Sequence, residues 1–573
     1  MENQEVSYLL HRIANLLEIK GETDYKTNAY KRAAQAISRM PNDIEALFNA
    51  GKLQEISGVG PHLEALITEI ITTGSAGYLN ELEQEVPPEL ADFAILPGIG
   101  TEIVTTLFKH TSIRTPEELY RAIKDKSLPE VPGLDKQVIF RIKRALQKWE
   151  VQGDLIDLGT AVPMSKALLE LVRMLPYVEQ VSVVGDLRRG LEVVKEIVIL
   201  AASPEVSRVI DFFKGLPIVK TVLSTNSNHC RVKIVLGMIV ELRVVPPQLY
   251  ALEQILGTGN SNHVERLSEL AVQQGMITTT DKWEEWVRRL HLNTEADIYH
   301  RHQLNYVPPE IRETGQELTE GCQGISLIKD TDIKGDLHMH TVWSDGHNTV
   351  LEMAMKAKEM GYQYIAICDH SKSLSIAGGL NEERLRLQQA EIAELNQRNI
   401  GISILSGIEL DILPDRRLDF SDDVLKEMDI VVGSIHSGFK QDADIITTRI
   451  ELAMKNEHVD IIAHPTGRML RRRSGYQLNF ERIFETAVKT DTALEINASP
   501  NRLDLRDIHV RQAKEFGCKL VINTDAHDMK HLSDMNYGIT NARRGWVQTG
   551  DVINTMDTYS LTKYLANRKY SLV

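Results

Sequence analysis

Downstream of about residue 333, short apolar runs alternate with longer stretches of helical periodicity. The runs Tyr364 to Cys368, Ile402 to Ile408, Ile430 to Ile435, Val459 to Ala463, Leu494 to Ile496 and Leu520 to Ile522 are rich in β-branched and aliphatic residues. Such runs, separated by helices, predict parallel strands buried on both faces. Repeated, they predict a β/α barrel that brings its strand C-termini to one rim. Upstream the period changes. Leu9, Leu10, Ile13, Leu16 and Leu17 recur at helical spacing, as do Leu63, Leu66, Ile67 and Ile70, so the chain to about residue 80 reads as helical.

Ligand-type side chains close most of the apolar runs. In Gly335-Asp336-Leu337-His338-Met339-His340-Thr341-Val342-Trp343-Ser344-Asp345-Gly346, strand alternation puts His338 and His340 on one face, with Asp345 in loop reach. The later runs lead into His370, Glu409, His436, His464, and the pair Asp525 and His527. On a barrel these nine residues converge. They are too many for one ion, since zinc takes about four ligands. Three ions, with a carboxylate shared between two, fit the count. Imidazole and carboxylate suit manganese, zinc or iron, and the lack of cysteine ligands argues against a closed structural zinc site. Ions ~3.5–4 Å apart serve phosphoryl displacement, so phosphate-ester hydrolysis is the expected chemistry.

A second kind of motif lies upstream. Leu53-Gln54-Glu55-Ile56-Ser57-Gly58-Val59-Gly60-Pro61 resembles a helix-hairpin-helix, whose hairpin offers backbone N–H groups to a phosphate at a helix start. Leu96-Pro97-Gly98-Ile99-Gly100 repeats it, and Leu128 to Asp135 is a degraded third copy. Gly58, Gly60, Gly98 and Gly100 are therefore candidate contacts to DNA backbone, without base reading. Tyr25 to Ala34 mixes basic and aromatic residues on a helix beside the first hairpin.

Composition limits the class. The 573 residues are 42% hydrophobic and 25% charged, enough for several globular domains. No apolar run reaches the ~18 residues of a membrane span. The first residues lack the basic and apolar regions of a signal peptide. Cys230, Cys322, Cys368 and Cys518 form no Cys-x-x-Cys pair and read as reduced thiols, so a cytoplasmic protein is expected. A net charge of −15 lowers non-specific affinity for nucleic acid but permits local basic patches.

From about residue 333 to the end, the motifs GDLHMHTVWSDG, CDHS, GIEL, SIHSG, AHPTGR and NTDAH resemble a PHP (polymerase and histidinol phosphatase) domain, a distorted β/α barrel with a trinuclear centre. The resemblance implies one ion on His338, His340, Glu409 and Asp525, a second on Glu409, His436 and His464, and a third on Asp345, His370 and His527. The upstream half resembles a bacterial family X DNA polymerase: Val181 to Gly190 (VSVVGDLRRG), Leu242-Arg243-Val244-Val245-Pro246-Pro247, Thr258-Gly259 and Tyr306 to Glu313 fit its outline. The implied parts are a helical domain at 1–80, fingers at 81–150, an α+β palm at 151–255, a thumb at 256–315, a polar linker at 316–332 and the barrel at 333–573.

The departures bear on activity. The family's phosphate-binding serine is here Asp186, ahead of Arg188-Arg189-Gly190. Its metal-binding aspartates fall on Glu196, Val198 and Glu241, and the lyase lysine of animal relatives on Leu66. The polymerase site therefore reads as degenerate and the lyase as lost. The expected protein is a monomeric, DNA-binding, manganese-dependent 3′→5′ exonuclease of DNA repair, acting also at abasic sites and blocked 3′ ends by resemblance. His338, His340, Glu409 and Asp525 would carry the catalysis. Arg468, leading the run Arg471-Arg472-Arg473, and Arg502 are expected to hold the DNA backbone at the rim, because guanidinium is suited to phosphate. The alternatives are a dual polymerase and exonuclease, a silent DNA-binding scaffold, and a small-molecule phosphatase.

Overall fold

The computed structural model describes residues 3–571 except 41–42, 74–75, 88–89, 91–99, 115, 126, 130, 132, 135–137, 140–141, 143–154, 217, 235–236, 278–282 and 319–323. The chain forms two compact units, Met1–Gly153 and Asp154–Val573.

The first unit is helical. Helices Asn3–Lys20 and Asp24–Arg39 pair closely. Leu10, Ile13, Leu16 and Leu17 are fully buried, as the spacing predicts, while Leu9 is only partly covered. The same core takes in Ile67 and Ile70 from helix Pro61–Thr73, and Val104, Leu107 and Leu119 further on. The segments expected separately at 1–80 and 81–150 thus share one core. Before helix Pro61–Thr73 the chain turns at Gly58, whose φ is +86°. Gly60 has no positive φ, and a Cβ there would meet nothing within 4 Å. The conformational need for glycine lies at Gly58, and Gly60 leaves open space. Gly98 lies outside the described residues, and Gly100 opens helix Gly100–His110.

In the second unit, β1 (Ile156–Asp157) pairs with β3 (Val193–Val194), beside a five-stranded sheet. Its members are β2 (Gln180–Val184), β4 (Ile197–Ala202), β5 (Val219–Thr225), β6 (His229–Ile234) and β7 (Ile239–Val245), in the order β2-β4-β7-β6-β5. β4 is buried throughout. Helices Leu158–Arg173 and Val206–Lys214 supply one side of its core through Leu168, Val172, Val209 and Phe213. Helix Tyr250–Thr258 leads into a helical segment built on Trp283, Trp286 and Tyr299. The 316–332 stretch, expected as a polar linker, is packed where described. Glu317 is buried against His263 (2.7 Å), and Leu318, Leu327 and Ile328 are buried. A polar composition concealed three apolar anchors.

The remaining strands are β8 (Gly335–Met339), β9 (Tyr364–Ile367), β10 (Ser403–Asp411), β11 (Ile430–Ser434), β12 (Ile461–Ile462), β13 (Ala493–Asn497) and β14 (Leu520–Asn523), all parallel and in chain order. The residues just past β14 return to β8: Met339 bridges Ala526, and Asp525 N–H donates to the His338 carbonyl at 3.0 Å. The sheet thereby closes into the predicted barrel. Among the described residues, no helix is long and apolar enough to cross a membrane.

One buried ion cluster joins helix Gly185–Arg188, after β2, to the helical segment that follows Tyr250–Thr258. Glu295 accepts two bonds from Arg188 (2.8 and 2.6 Å) and two from Arg312 (2.8 and 3.2 Å). Burial alone would raise its pKa, but the two guanidiniums outweigh burial and hold it at about 2. Glu295→Ala leaves two cations unpaired and is expected to destabilise this unit by ~3–5 kcal/mol, read by urea unfolding on Trp283 and Trp286 fluorescence. Because the folded pKa is depressed, the Glu295 contribution is complete above its ordinary value of 4.5 and is lost as pH falls toward about 2.

Candidate metal centre

β8 delivers His338 and His340 to the inside of the barrel rim, both fully buried. The loop after it folds back because the buried Asp369 carboxylate accepts from Thr341 N–H (2.8 Å), Thr341 Oγ1 (2.6 Å) and Ser344 N–H (3.2 Å). Gly346 closes this loop with no room for a side chain: a Cβ would lie 2.6 Å from the Thr341 nitrogen. Asp345 is thereby carried over the rim, with Oδ1 3.5 Å from His370 Nε2 and 3.4 Å from His527 Nε2.

Glu409, on β10, is the hub. Its exposure is 1%. Oε1 lies 3.0 Å from His464 Nε2 and 3.3 Å from His436 Nε2. Oε2 lies 2.6 Å from His370 Nδ1 and 3.6 Å from both His338 Nε2 and His340 Nε2. Asp525 Oδ1 is 3.1 Å from His340 Nε2. All nine expected ligands meet here. Three sets of ligand atoms lie within 4.8 Å of one another: His340, Asp345, His370 and His527; His338, His340 and Asp525; and His370, Glu409 and His436. They differ in detail from the partition expected by resemblance. His340 and His370 each fall in two sets, and His464 reaches the centre through Glu409 instead of joining a set.

The donor set fits divalent cations. His338 Nε2 and His340 Nδ1 are buried with no hydrogen-bond partner among the described residues. Unsatisfied lone pairs buried together are costly unless a cation takes them. Without an ion, protons balance the charge. Burial opposes ionisation, yet the imidazoles hold Glu409, Asp525 and Asp345 well below the usual carboxylate range. Burial likewise opposes protonation of His370 and His436, but Glu409 outweighs it and raises them to about 10 and about 9. His340 is lowered to about 3 by burial and by the neighbouring His527 and His370. Loading the centre therefore means releasing protons.

Sequence reasoning missed the groups that orient these ligands. Glu495, fully buried on β13, accepts from His338 Nδ1 at 2.7 Å and from the His464 backbone N–H at 2.7 Å. The other nitrogen, His338 Nε2, is thereby directed at the centre. Asp336 accepts from the backbones of His338 and Thr524, and Asp411 faces His436 Nδ1 at 3.2 Å. The available signal was an acidic residue inside or against an apolar run, as in Leu494-Glu495-Ile496. Two ligands, His464 (φ 26°) and Asp525 (φ 54°), have positive φ, a strain that these bonds hold in place.

The arginines part company. Arg502 Nε stands 3.4 Å from Asp525 Oδ2 at the rim. Arg468 does not offer an open guanidinium: it is 7% exposed, bonded to Glu192 (2.7 Å) and to the Leu503 carbonyl. Arg471 faces Asp157 (3.6 Å), Arg473 donates to the Gly467 carbonyl, and Arg472 is exposed. Proximity to His464 in sequence overlooked the carboxylates of Glu192 and Asp157 on the other side.

At the five-stranded sheet, Glu196 pairs with Arg231 (2.9 Å) and Glu241 with Arg243 (2.5 Å). Val198, beside Glu241 on the next strand, is buried. Asp186, expected to confront phosphate as a bare anion, is instead paired with Arg189 at 2.6 Å. Leu66 is buried in the first unit.

Comparison with known proteins agrees with this layout. A family model described as "Helix-hairpin-helix domain" matches residues 1–76, "SAM-like Helix-hairpin-helix tandem" matches 89–148, and "PHP domain" matches 336–499. The chain is 37% identical over 572 residues to the DNA polymerase/3′-5′ exonuclease PolX of Bacillus subtilis, covering 99% of each chain. Over 41% of this chain it is also 28% identical to a probable phosphatase of Thermoanaerobacter sp., of which 95% is covered. With two hairpin modules upstream, a PHP barrel downstream and this full-length likeness, the chain belongs to the bacterial family X DNA polymerases that carry a C-terminal PHP domain.

Proposed function

We propose that this chain is a DNA-repair nuclease that hydrolyses phosphodiesters at the barrel rim, working 3′→5′ from a DNA end and also at abasic sites and blocked 3′ ends. The observation that carries the reading is the meeting of nine imidazole and carboxylate ligands around Glu409. The printed name of the Bacillus relative supports the 3′→5′ direction. His338, His340, Glu409 and Asp525 would hold one divalent ion, Glu409, His436 and His464 a second, and Asp345, His370 and His527 a third, with manganese the favoured metal. Bound ions supply Lewis acidity and a water of lowered pKa. The protein's own part is to fix those ligands, through Glu495 and Asp411, and to set Arg502 where it can take a phosphate oxygen.

DNA would be held by the hairpins at Gly58–Gly60 and Gly98–Gly100 through backbone N–H groups. These modules favour DNA over the small substrates that the phosphatase relatives suggest, because a small ester needs no backbone clamp. The palm is a weak or dead polymerase. Nucleotidyl transfer needs shared carboxylates around magnesium at ~2.0–2.1 Å. Here one position is Val198, and both remaining carboxylates are paired with arginine.

Three outcomes are expected. His338→Ala and Asp525→Ala each remove hydrolysis of a labelled duplex, by at least about a hundredfold, with DNA affinity in gel shift unchanged; a chelator does the same and Mn²⁺ reverses it. Equal degradation by wild type and both variants would sink the assignment. Gly58→Val, forced against a φ of +86°, weakens binding by a similar factor on several unrelated sequences, with circular dichroism verifying the fold. A loss confined to one sequence contradicts backbone recognition. A primer–template with nucleotides and Mg²⁺ shows no extension above background. Robust extension that is lost in Glu196→Ala would restore the dual-enzyme reading.

A further inference from the structure

Two residues stand outside both the metal centre and the polymerase positions: Arg468, which does not face the rim, and Glu192, a carboxylate upstream of the barrel. Each accounts for the other. Glu192 sits in the turn before β3, and its carbonyl accepts from Leu158 N–H at 3.0 Å, so its place in the palm is set. Its carboxylate crosses to the barrel, 2.7 Å from Arg468 Nη2 and 3.7 Å from Arg506 Nη2. Arg468 closes the loop that begins at His464. Within that loop Gly467 N–H donates to the His464 carbonyl at 2.8 Å, and the Thr466 and Arg468 N–H groups both donate to Asp504. Leu470, from the same loop, packs into the palm core, as does Leu503. A Cβ on palm residue Gly159 would lie 2.7 Å from Pro500, so the surfaces meet without a gap. The strained His464 thus leads into a loop whose far end is fixed from the palm.

We propose that Glu192 is a positioning residue of the nuclease centre. Acting through Arg468, it sets the loop that presents His464 to Glu409, so a palm without polymerase chemistry remains a working part of the hydrolase. The inference rests on the nuclease reading only for its biological meaning, since its physical content is metal binding. Removing the carboxylate leaves the buried Arg468 guanidinium bonded to the Leu503 carbonyl with only the buried Asp504 nearby as countercharge, and the loop shifts to rehydrate it.

The test uses the full chain, stripped of metal by a chelator and titrated with Mn²⁺ by calorimetry and by ion count after gel filtration. Hydrolysis of bis(p-nitrophenyl) phosphate, which needs no DNA clamp, is followed in parallel. Glu192→Gln and Glu192→Ala are expected to weaken uptake of one class of ion about tenfold. The Mn²⁺ needed for half-maximal hydrolysis rises by the same factor, while duplex binding is unchanged. Glu192→Asp recovers part of the loss, and the exchange Glu192→Arg with Arg468→Glu recovers more than either single change. Mn²⁺ titrations of both single variants that overlay the wild type overturn the proposal, even if their thermal stability falls. A shifted titration in a protein that does not cleave DNA would uphold the role of Glu192 and overturn the nuclease reading instead.

Discussion

A carboxylate buried among imidazoles governs the C-terminal half of this molecule. Glu409 has almost no contact with solvent, and five histidines approach it within 3.6 Å. Such a group is tolerated only if opposite charge surrounds it. The barrel answers with imidazole rings on four other strand ends, and two of those rings are held by further buried acids: Glu495 behind His338, Asp411 behind His436. The parallel sheet makes this possible, because its strands finish side by side and leave their last residues at one level. The inner shell is a charge problem, and the fold is the frame in which it can be solved.

The same logic runs with opposite outcome at the five-stranded sheet. There each surviving carboxylate has an arginine, Arg231 of β6 for Glu196 and Arg243 of the same strand for Glu241, and the arginines of the turn have carboxylates of their own. Charges satisfied within the protein have little left for a cation. Orphaned lone pairs mark one centre and closed ion pairs the other.

Much of this was legible in the sequence, for identifiable reasons. The barrel strands are apolar on both faces, a pattern few other elements share, and the ligands recur where those strands end. The hairpin at Gly58 announced itself by glycine and proline spacing. What could not be read were relations between distant segments. Glu495 looked like one polar residue in a strand, and only the fold brings it behind His338. Arg468 was assigned to the rim from its nearness to His464, whereas its partner Glu192 lies 276 residues away in the chain. The 316–332 stretch looked like a tether because its few apolar residues, Leu318, Leu327 and Ile328, are diluted by polar neighbours. Pattern reveals which face is buried, but not against what.

The closure of the barrel has a consequence for how the protein is made. β8 leaves the ribosome well before its neighbour across the seam, and Asp525 and His527 arrive only with the return from β14 to β8. Domains fold in order of synthesis, so the helical DNA-binding unit is complete while the last two ligands are still unmade. A chain truncated before that return has the hairpin unit but neither a closed sheet nor the full cluster of imidazoles and carboxylates. Assembly of the buried cluster is thereby deferred to the final stretch of translation, and an unfinished copy lacks it.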